Sequence, residues 1–574
     1  MPDSPEAVAL GVNSLPLQDA APTATALAPA NFYAVAGIRT SATIPISYTI
    51  DYPGNQLLGS VRVFYSPTGG GDWRPAVGEN TVAYGPIEPQ AQGDGIADLA
   101  GTAQPAAAGS DAAHRLYFPL MPTPHVRGKI QGVFDWDLFA SGVFGQSDNM
   151  VVRIEVLPYL GPVRNGIPGP FQRPFVSAQT YPFRVRGTQV RVLDEAGAPV
   201  SGAHVYRLPA GQTAGATPIA AADGTPFVTN SQGYLQGRGV LAQGDGLVAL
   251  VPITATHAFT LYHMSAAPSA TGLDLFTVQK PGVQELRVAQ SNPLALFSLD
   301  ISLEWDARND ATFLTDLEAA IQGASDILFD ITNGQAALGT VRVHQAKEHW
   351  TDSHVVLYAT NSIHPRASIG GIVATPTDDQ GTQGPIPGAY LPGQVRLGPL
   401  WDPFGESQVE LSTDWQRALA HELAHYLLFL PDNYLGLDGG LLELVDCQGS
   451  FMTNAYDDDY SELLTRDHWD QQETCRRTVA QQLTGRSDWE TVTRFLPWLQ
   501  SPATWAEVNP GPAMLPLAVP QISIVEPAGD PASTLPAQNF DLRHGQTGEL
   551  TAVRQAQAYL FKSGGTGDFD TEIT

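Results

Sequence analysis

Cysteine is nearly absent: the 574-residue chain has two, Cys447 and Cys475. That excludes a scaffold stapled by many disulfides and leaves one bond or two free thiols as open alternatives. Basic residues are also scarce, with 30 Lys and Arg against 58 Asp and Glu and a net charge of −28. A nucleic-acid binder needs a basic footprint, and none is visible, so no nucleic-acid partner is expected. No apolar run reaches the roughly 18 residues of a membrane-spanning helix, so no transmembrane segment is expected. The start, Met1-Pro2-Asp3-Ser4-Pro5-Glu6, lacks the basic and apolar regions of a signal peptide. This points either to a cytosolic protein or to a chain that has lost its leader. Charged residues are only 15%, while Gly (56) and Pro (46) are plentiful. That balance suits turn-rich β domains and long loops better than helix bundles.

What is present falls into blocks. Residues 1–30 are rich in Ala and Pro without a period, and are expected to be a disordered arm. Residues 31–187 carry short β-like runs between Gly/Pro clusters: Ala42–Tyr52, Ser60–Tyr65, His114–Leu120, Gly132–Leu138 and Met150–Leu157. They predict an Ig- or fibronectin-like β-sandwich with a long flexible insertion near Gln90–Ser110. Residues 188–256 contain the alternating run Val190–Asp194, a turn at Gly197-Ala198-Pro199, and further β-like runs to Leu250. This loose pattern resembles the carboxypeptidase regulatory-like domain, a small β-sandwich that serves as a spacer.

The third block, 257–500, changes character from about residue 295. Leu299, Ile301, Leu303 and Trp305 alternate with polar residues and predict a strand. Asn309 or Asp310 is a candidate cap for a helix with Phe313, Leu314, Leu317, Ile321, Ala324, Ile327, Leu328 and Ile331 on one stripe. Asn333-Gly334 supplies its end. Strands are expected at Thr340–His344, His354–Ala359, Ala367–Val373 and Gln394–Leu397, then a helix from near Asp414, with Thr413-x-x-Gln416 as a capping-box match. Residues 501–574 are Pro-rich and β-like, the start of a further β domain. The fold class expected is therefore multidomain, with β-sandwich modules plus an α+β domain.

The strongest local signal is His421-Glu422-Leu423-Ala424-His425. Two His at i and i+4 differ by about 40° around a helix, so both imidazoles reach one ion. Glu422 can take the proton of a zinc-coordinated water. With 13 His in the chain, the number of such matches expected by chance is on the order of 0.01. Zinc in a catalytic site needs a third protein ligand, and Asp432 is the candidate, with Glu443, Asp446 and Glu462 as rivals. A continuous helix would carry residue 432 roughly 13 Å from the His pair. The chain must therefore fold back, and Pro431 favours an end to the helix. Met452, in the tight run Gly449–Asn454, is a candidate apolar floor beneath the ligands, although a lone Met is commonly plain core. Tyr456 is a candidate hydrogen-bond donor to an oxyanion, with a structural loop tyrosine as the equal alternative. Asp457-Asp458-Asp459 raises calcium, but no calcium-loop pattern supports it.

The run His421-Glu422-Leu423-Ala424-His425-Tyr426-Leu427-Leu428-Phe429-Leu430-Pro431-Asp432-Asn433-Tyr434 resembles the metzincin-related motif. The nearest form is that of the calcium-activated chloride channel regulator type, HExxHxxxGxxDE followed by Tyr. The resemblance spans roughly residues 299–475. It implies a metzincin-like zinc peptidase domain, Asp432 as third ligand, and a Met-turn at Met452. Typical metzincins place the third ligand one residue earlier, where this chain has Pro431. Phe429 stands where the motif has Gly, implying a fold-back of different geometry, and Asn433 stands where it has Glu. Related extracellular metallohydrolases carry cysteines near this turn, which favours a Cys447–Cys475 bond.

The function expected is zinc-dependent hydrolysis of peptide bonds in a protein or peptide substrate. Glu422 would be the general base, and residues Ala367–Val373 would line the cleft with Gly370 and Gly371 admitting close substrate approach. An extracellular or cell-surface setting is expected, with possible matrix attachment through the β modules. Two other readings compete: a binding or adhesion protein with a non-catalytic zinc site, and a zinc hydrolase of a non-peptide amide or ester.

Overall fold

The structure, a computed structural model, describes residues 23–29, 37–52, 57–84, 128–159, 176–269, 272–361, 363–379, 389–403, 411–435, 445–458, 461–508, 517, 521–528, 560–563 and 569–573. The chain divides into two compact units. The first comprises Met1–Gln212, Pro218–Ala249 and Phe276–Arg287; the second comprises Thr213–Thr217, Leu250–Leu275 and Val288–Thr574. Among the described residues no helix is long and apolar enough to cross a membrane. Residues 1–22 and 30 of the expected arm, the expected insertion at Gln90–Ser110 and the expected strand His114–Leu120 lie outside the described residues. The arm's remaining segment, Thr23–Pro29, is a strand.

The first unit is built from β1 (Thr23–Pro29), β2 (Thr43–Tyr52), β3 (Leu57–Ser66), β4 (Val77–Tyr84), β5 (Gly128–Asp137), β6 (Val143–Tyr159), β7 (Phe183–Arg186) and β8 (Gln189–Leu193). One sheet has the antiparallel order β1-β2-β5-β4. The other places β6 between β7 and β3. The period-2 alternation read from the sequence decides which side chains face inward. Ile44, Ile46 and Tyr48 of β2 are buried, as are Phe134 and Trp136 of β5, Val63 and Tyr65 of β3, and Val152 and Ile154 of β6. Tyr65 and Trp136 meet with ring centroids 5.2 Å apart, joining the inner faces of a β-sandwich. Their polar tips are satisfied at one corner: the Tyr65 hydroxyl donates to the Ser141 carbonyl, and Trp136 Nε1 donates to Ser141 Oγ. β8 pairs in parallel with the strand Val283–Arg287.

The second unit holds β9 (Phe259–Met264), β10 (Ala289–Leu303), α1 (Ala311–Ile331), β11 (Ala336–His344), β12 (Val355–Leu357), β13 (Arg366–Ala367), β14 (Val395–Leu397), α2 (Thr413–Leu428), α3 (Asp488–Phe495) and β15 (Gln521–Ile524). β10 pairs antiparallel with β9 and parallel with β11 and β12. β14 continues in parallel from β12, β13 closes that edge antiparallel, and β15 pairs with β11. Leu299, Ile301 and Leu303 of β10 share one core with Leu317, Ile321, Ala324 and Leu328 of α1 and with Leu419, Leu423 and Leu427 of α2. Asp310 caps α1 by accepting from the Phe313 amide, and Asn333 and Gly334 leave the helix in left-handed conformations, as the sequence predicts. α1 and α2 pack against each other. Gly323 permits this approach: a Cβ there would stand 2.1 Å from Gln416 Oε1.

Two expectations need correction. Ser412, not Thr413, caps α2; its backbone is extended and its Oγ accepts from the Trp415 amide at 3.2 Å. The strand expected over Ala367–Val373 stops at Ala367. The next residues turn against the end of α2, where the Gly370 amide donates to the His425 carbonyl at 2.9 Å. Gly370 and Gly371 are therefore needed for close helix packing. A Cβ on Gly370 would lie 2.4 Å from Phe429 Cδ1, and one on Gly371 2.7 Å from Tyr426 Cε2.

Candidate metal centre

α2 forms because Ala, Leu, Gln, Glu and Arg dominate it and Ser412 caps it. Its apolar stripe seats Trp415, Ala418, Leu419 and Leu423 in the core and leaves His421 and His425 on one side. The helix ends at Leu428 because Phe429 takes the left-handed conformation, φ 64° and ψ 19°. The amides of Phe429 and Leu430 both close on the Ala424 carbonyl. Phe429, where the resembled motif has Gly, adopts a backbone that glycine takes without strain. Its ring offsets that strain by stacking on Phe495 at 4.1 Å and meeting Tyr390 edge-on at 5.2 Å.

The fold-back does two things. It presents the Leu430 carbonyl to His425 Nδ1 at 2.5 Å. It also brings Asp432 Oδ1 to 3.3 Å from His425 Nε2 and 3.5 Å from His421 Nε2. His421 Nδ1 lies 3.3 Å from the Phe451 carbonyl. With Nδ1 of each ring turned to a carbonyl, Nε2 is the nitrogen each ring has left to offer a metal. Asp432 Oδ1 is buried yet aligned for a hydrogen bond to neither ring. Among the described residues these three are the one group of three potential ligands that converges, all donor atoms within 4.8 Å of one another. Three donor atoms this close together, in a two-nitrogen, one-oxygen set, fit zinc. Of the rivals, Glu443 lies outside the described residues and so does the Asp446 side chain, while Glu462 is buried and does not belong to the group.

The electrostatics reflect this crowding. Burial opposes a charge on His425, but Asp432 and Glu422 outweigh it and hold the imidazole up at about 9. Burial likewise opposes the Asp432 charge, and the two imidazoles overcome it, holding the carboxyl well below its usual range. Burial pushes the Glu422 carboxyl up, with the neighbouring imidazoles offsetting only part. Glu422 Oε2 is buried without a partner.

Met452 is fully buried in the same core, in a turn tied to the Asp432 loop: its carbonyl accepts from the Asn433 amide at 3.0 Å. Tyr456 packs on Trp401, and its phenol is raised by burial first and then by the Glu422 charge. Asp458 pairs with Arg417, which also donates to the Tyr456 carbonyl. Tyr434, present in the motif but not singled out as a site residue, lies close enough to feel the centre's charges: burial first, then the Asp432 and Glu422 charges, raise its phenol to about 12. A disulfide joins Cys447 to Cys475, Cα atoms 4.6 Å apart, and packs with Leu464, Trp469 and Ala480.

No family model matches the chain, and no curated protein matches it. Solved structures with local likeness include the Bacillus anthracis TIE protein, at 9% identity and TM-score 0.14 over 48% of this chain and 42% of that one. The full-length major pilin SpaD of Corynebacterium diphtheriae matches at 13% identity and TM-score 0.17, over 47% and 67%. The pilus backbone RrgB of Streptococcus pneumoniae matches at 8% and 0.16, over 48% and 96%. Likeness this slight carries no argument about function.

Proposed function

We propose that this chain is a zinc-dependent hydrolase of peptide bonds, its second unit being a metzincin-like catalytic domain. One observation carries the reading: His421 Nε2, His425 Nε2 and Asp432 Oδ1 converge beside a buried, unpartnered Glu422 carboxylate oxygen. Zinc bound there would supply a Lewis acid that acidifies a coordinated water and polarises a carbonyl.

The chain's own groups account for the rest. His421 and His425 are held by the Phe451 and Leu430 carbonyls. Glu422 accepts the proton of the attacking water and returns it to the leaving amine. A carboxyl raised by burial suits both halves of that exchange. A structural ion requires no such base. Tyr434 or Tyr456 donates to the oxyanion, each phenol being kept protonated by burial.

The test is elemental analysis of purified protein together with cleavage of a peptide library, for wild type and Glu422→Gln. About one zinc per chain in both, with cleavage lost on chelation and lost in Glu422→Gln, is expected. Zinc without cleavage of peptides, amides or esters would favour the non-catalytic binding reading. Cleavage of esters or non-peptide amides alone would move the substrate class. Zinc absent even after loading would overturn the centre.

A further inference from the structure

Behind the ligand loop lies a buried polar cluster that the hydrolysis does not use. Asn433, the residue after Asp432, is fully buried. Its Nδ2 donates to Ser450 Oγ at 2.7 Å and to Asp488 Oδ1 at 2.6 Å. Ser450 Oγ donates to Asp488 Oδ2 at 2.9 Å, and the Leu464 amide donates to the same oxygen at 2.9 Å. Asp488 itself opens α3 and is 1% exposed. A carboxylate so deeply buried is costly unless donors satisfy it, and here three do.

The position of those donors is informative. Asn433 is covalently next to the ligand Asp432. Ser450 precedes Phe451, whose carbonyl faces His421 Nδ1. One carboxylate thus grips both the loop that delivers the oxygen ligand and the turn that orients a nitrogen ligand. The main chain reinforces the link, since the Asn433 carbonyl accepts from the Cys447 amide and from Thr453 Oγ1. A Glu at position 433 would set a second carboxylate against Asp488, whereas the Asn433 amide donates to it.

We propose that Asp488 is a positioning residue for the metal centre, acting on Asp432 through Asn433 and on His421 through Ser450. The proposal rests on the zinc reading of that centre. The alternative is that Asp488 merely ties α3 to the loop and supports the fold.

Three variants separate these. Asp488→Asn sets two amide groups against each other and is expected to weaken zinc binding about 10- to 100-fold, measured by chelator competition. The exchanged pair, Asn433→Asp with Asp488→Asn, restores a carboxylate–amide contact. The amide introduced at position 488 can still accept from Leu464 through its oxygen, while its nitrogen faces the carboxylate introduced at position 433; Ser450 Oγ has one hydrogen and turns it to that carboxylate, giving up its bond to position 488. Zinc affinity in this double variant should recover a measurable part of the loss. Val492→Ala, in the same helix and fully buried, should lower unfolding stability without changing zinc affinity in the folded protein. Equal affinity in Asp488→Asn and wild type, or no rescue in a folded double variant, would overturn the proposal. If wild type binds no zinc, the metal reading fails and the positioning role falls with it; hydrogen exchange in the metal-free protein then decides whether Asp488 holds the Asn433 loop. Asp488→Asn should speed exchange at the Asn433 amide, the exchanged pair should restore protection, and unchanged exchange would overturn it.

Discussion

At the scale of single residues, the site separates a useful carboxyl from an expensive one. Glu422 is buried beside two imidazoles, whereas Glu462 is buried without a cation. Burial, with the Asp330 charge added, pushes Glu462 up to about 9, and its Oε2 has no partner. The folded pKa lies above the unfolded value of about 4.3. The stability this group allows is therefore complete below pH ~4 and is lost as pH rises toward 9. Gln does not titrate, so the stability of Glu462→Gln relative to wild type should grow by about 1.4 kcal/mol per pH unit between about pH 5 and 8. Urea unfolding at two pH values measures this, and a flat difference would mean that Glu462 stays charged when folded. The same variant should keep its zinc, whereas Asp432→Ala should lose it. Equal retention in both would move the ligand role away from Asp432.

At the scale of elements, α2 and its exit show what a sequence can and cannot reveal. His421, Glu422 and His425 are legible because four residues of helix fix their relation without help from the rest of the chain. The alternating strands of both units and the cap of α1 are legible for the same local reason. The left-handed exit at Phe429 is not, because aromatic residues avoid that conformation and its compensation comes from Phe495 and Tyr390, distant in sequence. Asp488 is invisible for the same reason: 56 residues of chain separate it from Asp432. Phe429→Gly sets two effects against each other. It relieves about 1 kcal/mol of left-handed strain but removes a buried aromatic worth about 3–5 kcal/mol. A net loss of roughly 2–4 kcal/mol in unfolding stability is expected. A stabilised variant would show that strain, not packing, dominates this turn.

At the scale of the whole molecule, the proposed zinc centre and the disulfide both fall in the second unit. The candidate ligands and the Cys447–Cys475 bond lie within Val288–Thr574, while the β1-β2-β5-β4 sheet belongs to the first unit. A ligand stabilises only the part of a chain whose folded form binds it. A cross-link closing a loop with a separation of 28 residues stabilises its own unit by about 3–4 kcal/mol, mainly by restricting the unfolded chain. The ligand loop and the disulfide are also in direct contact: the Cys447 amide donates to the Asn433 carbonyl, and the Ala480 amide beside Cys475 donates to the Asp432 carbonyl. Calorimetry of the full chain should therefore resolve a transition that falls with chelator and falls again with reductant, and a second that neither agent moves. Reduced protein should also release zinc faster than oxidised protein, because both anchors of the Asp432 loop loosen together. If chelator and reductant shift separate transitions, the centre and the disulfide do not share a folding unit. If one transition carries the whole heat and moves as a block, the two units do not unfold independently.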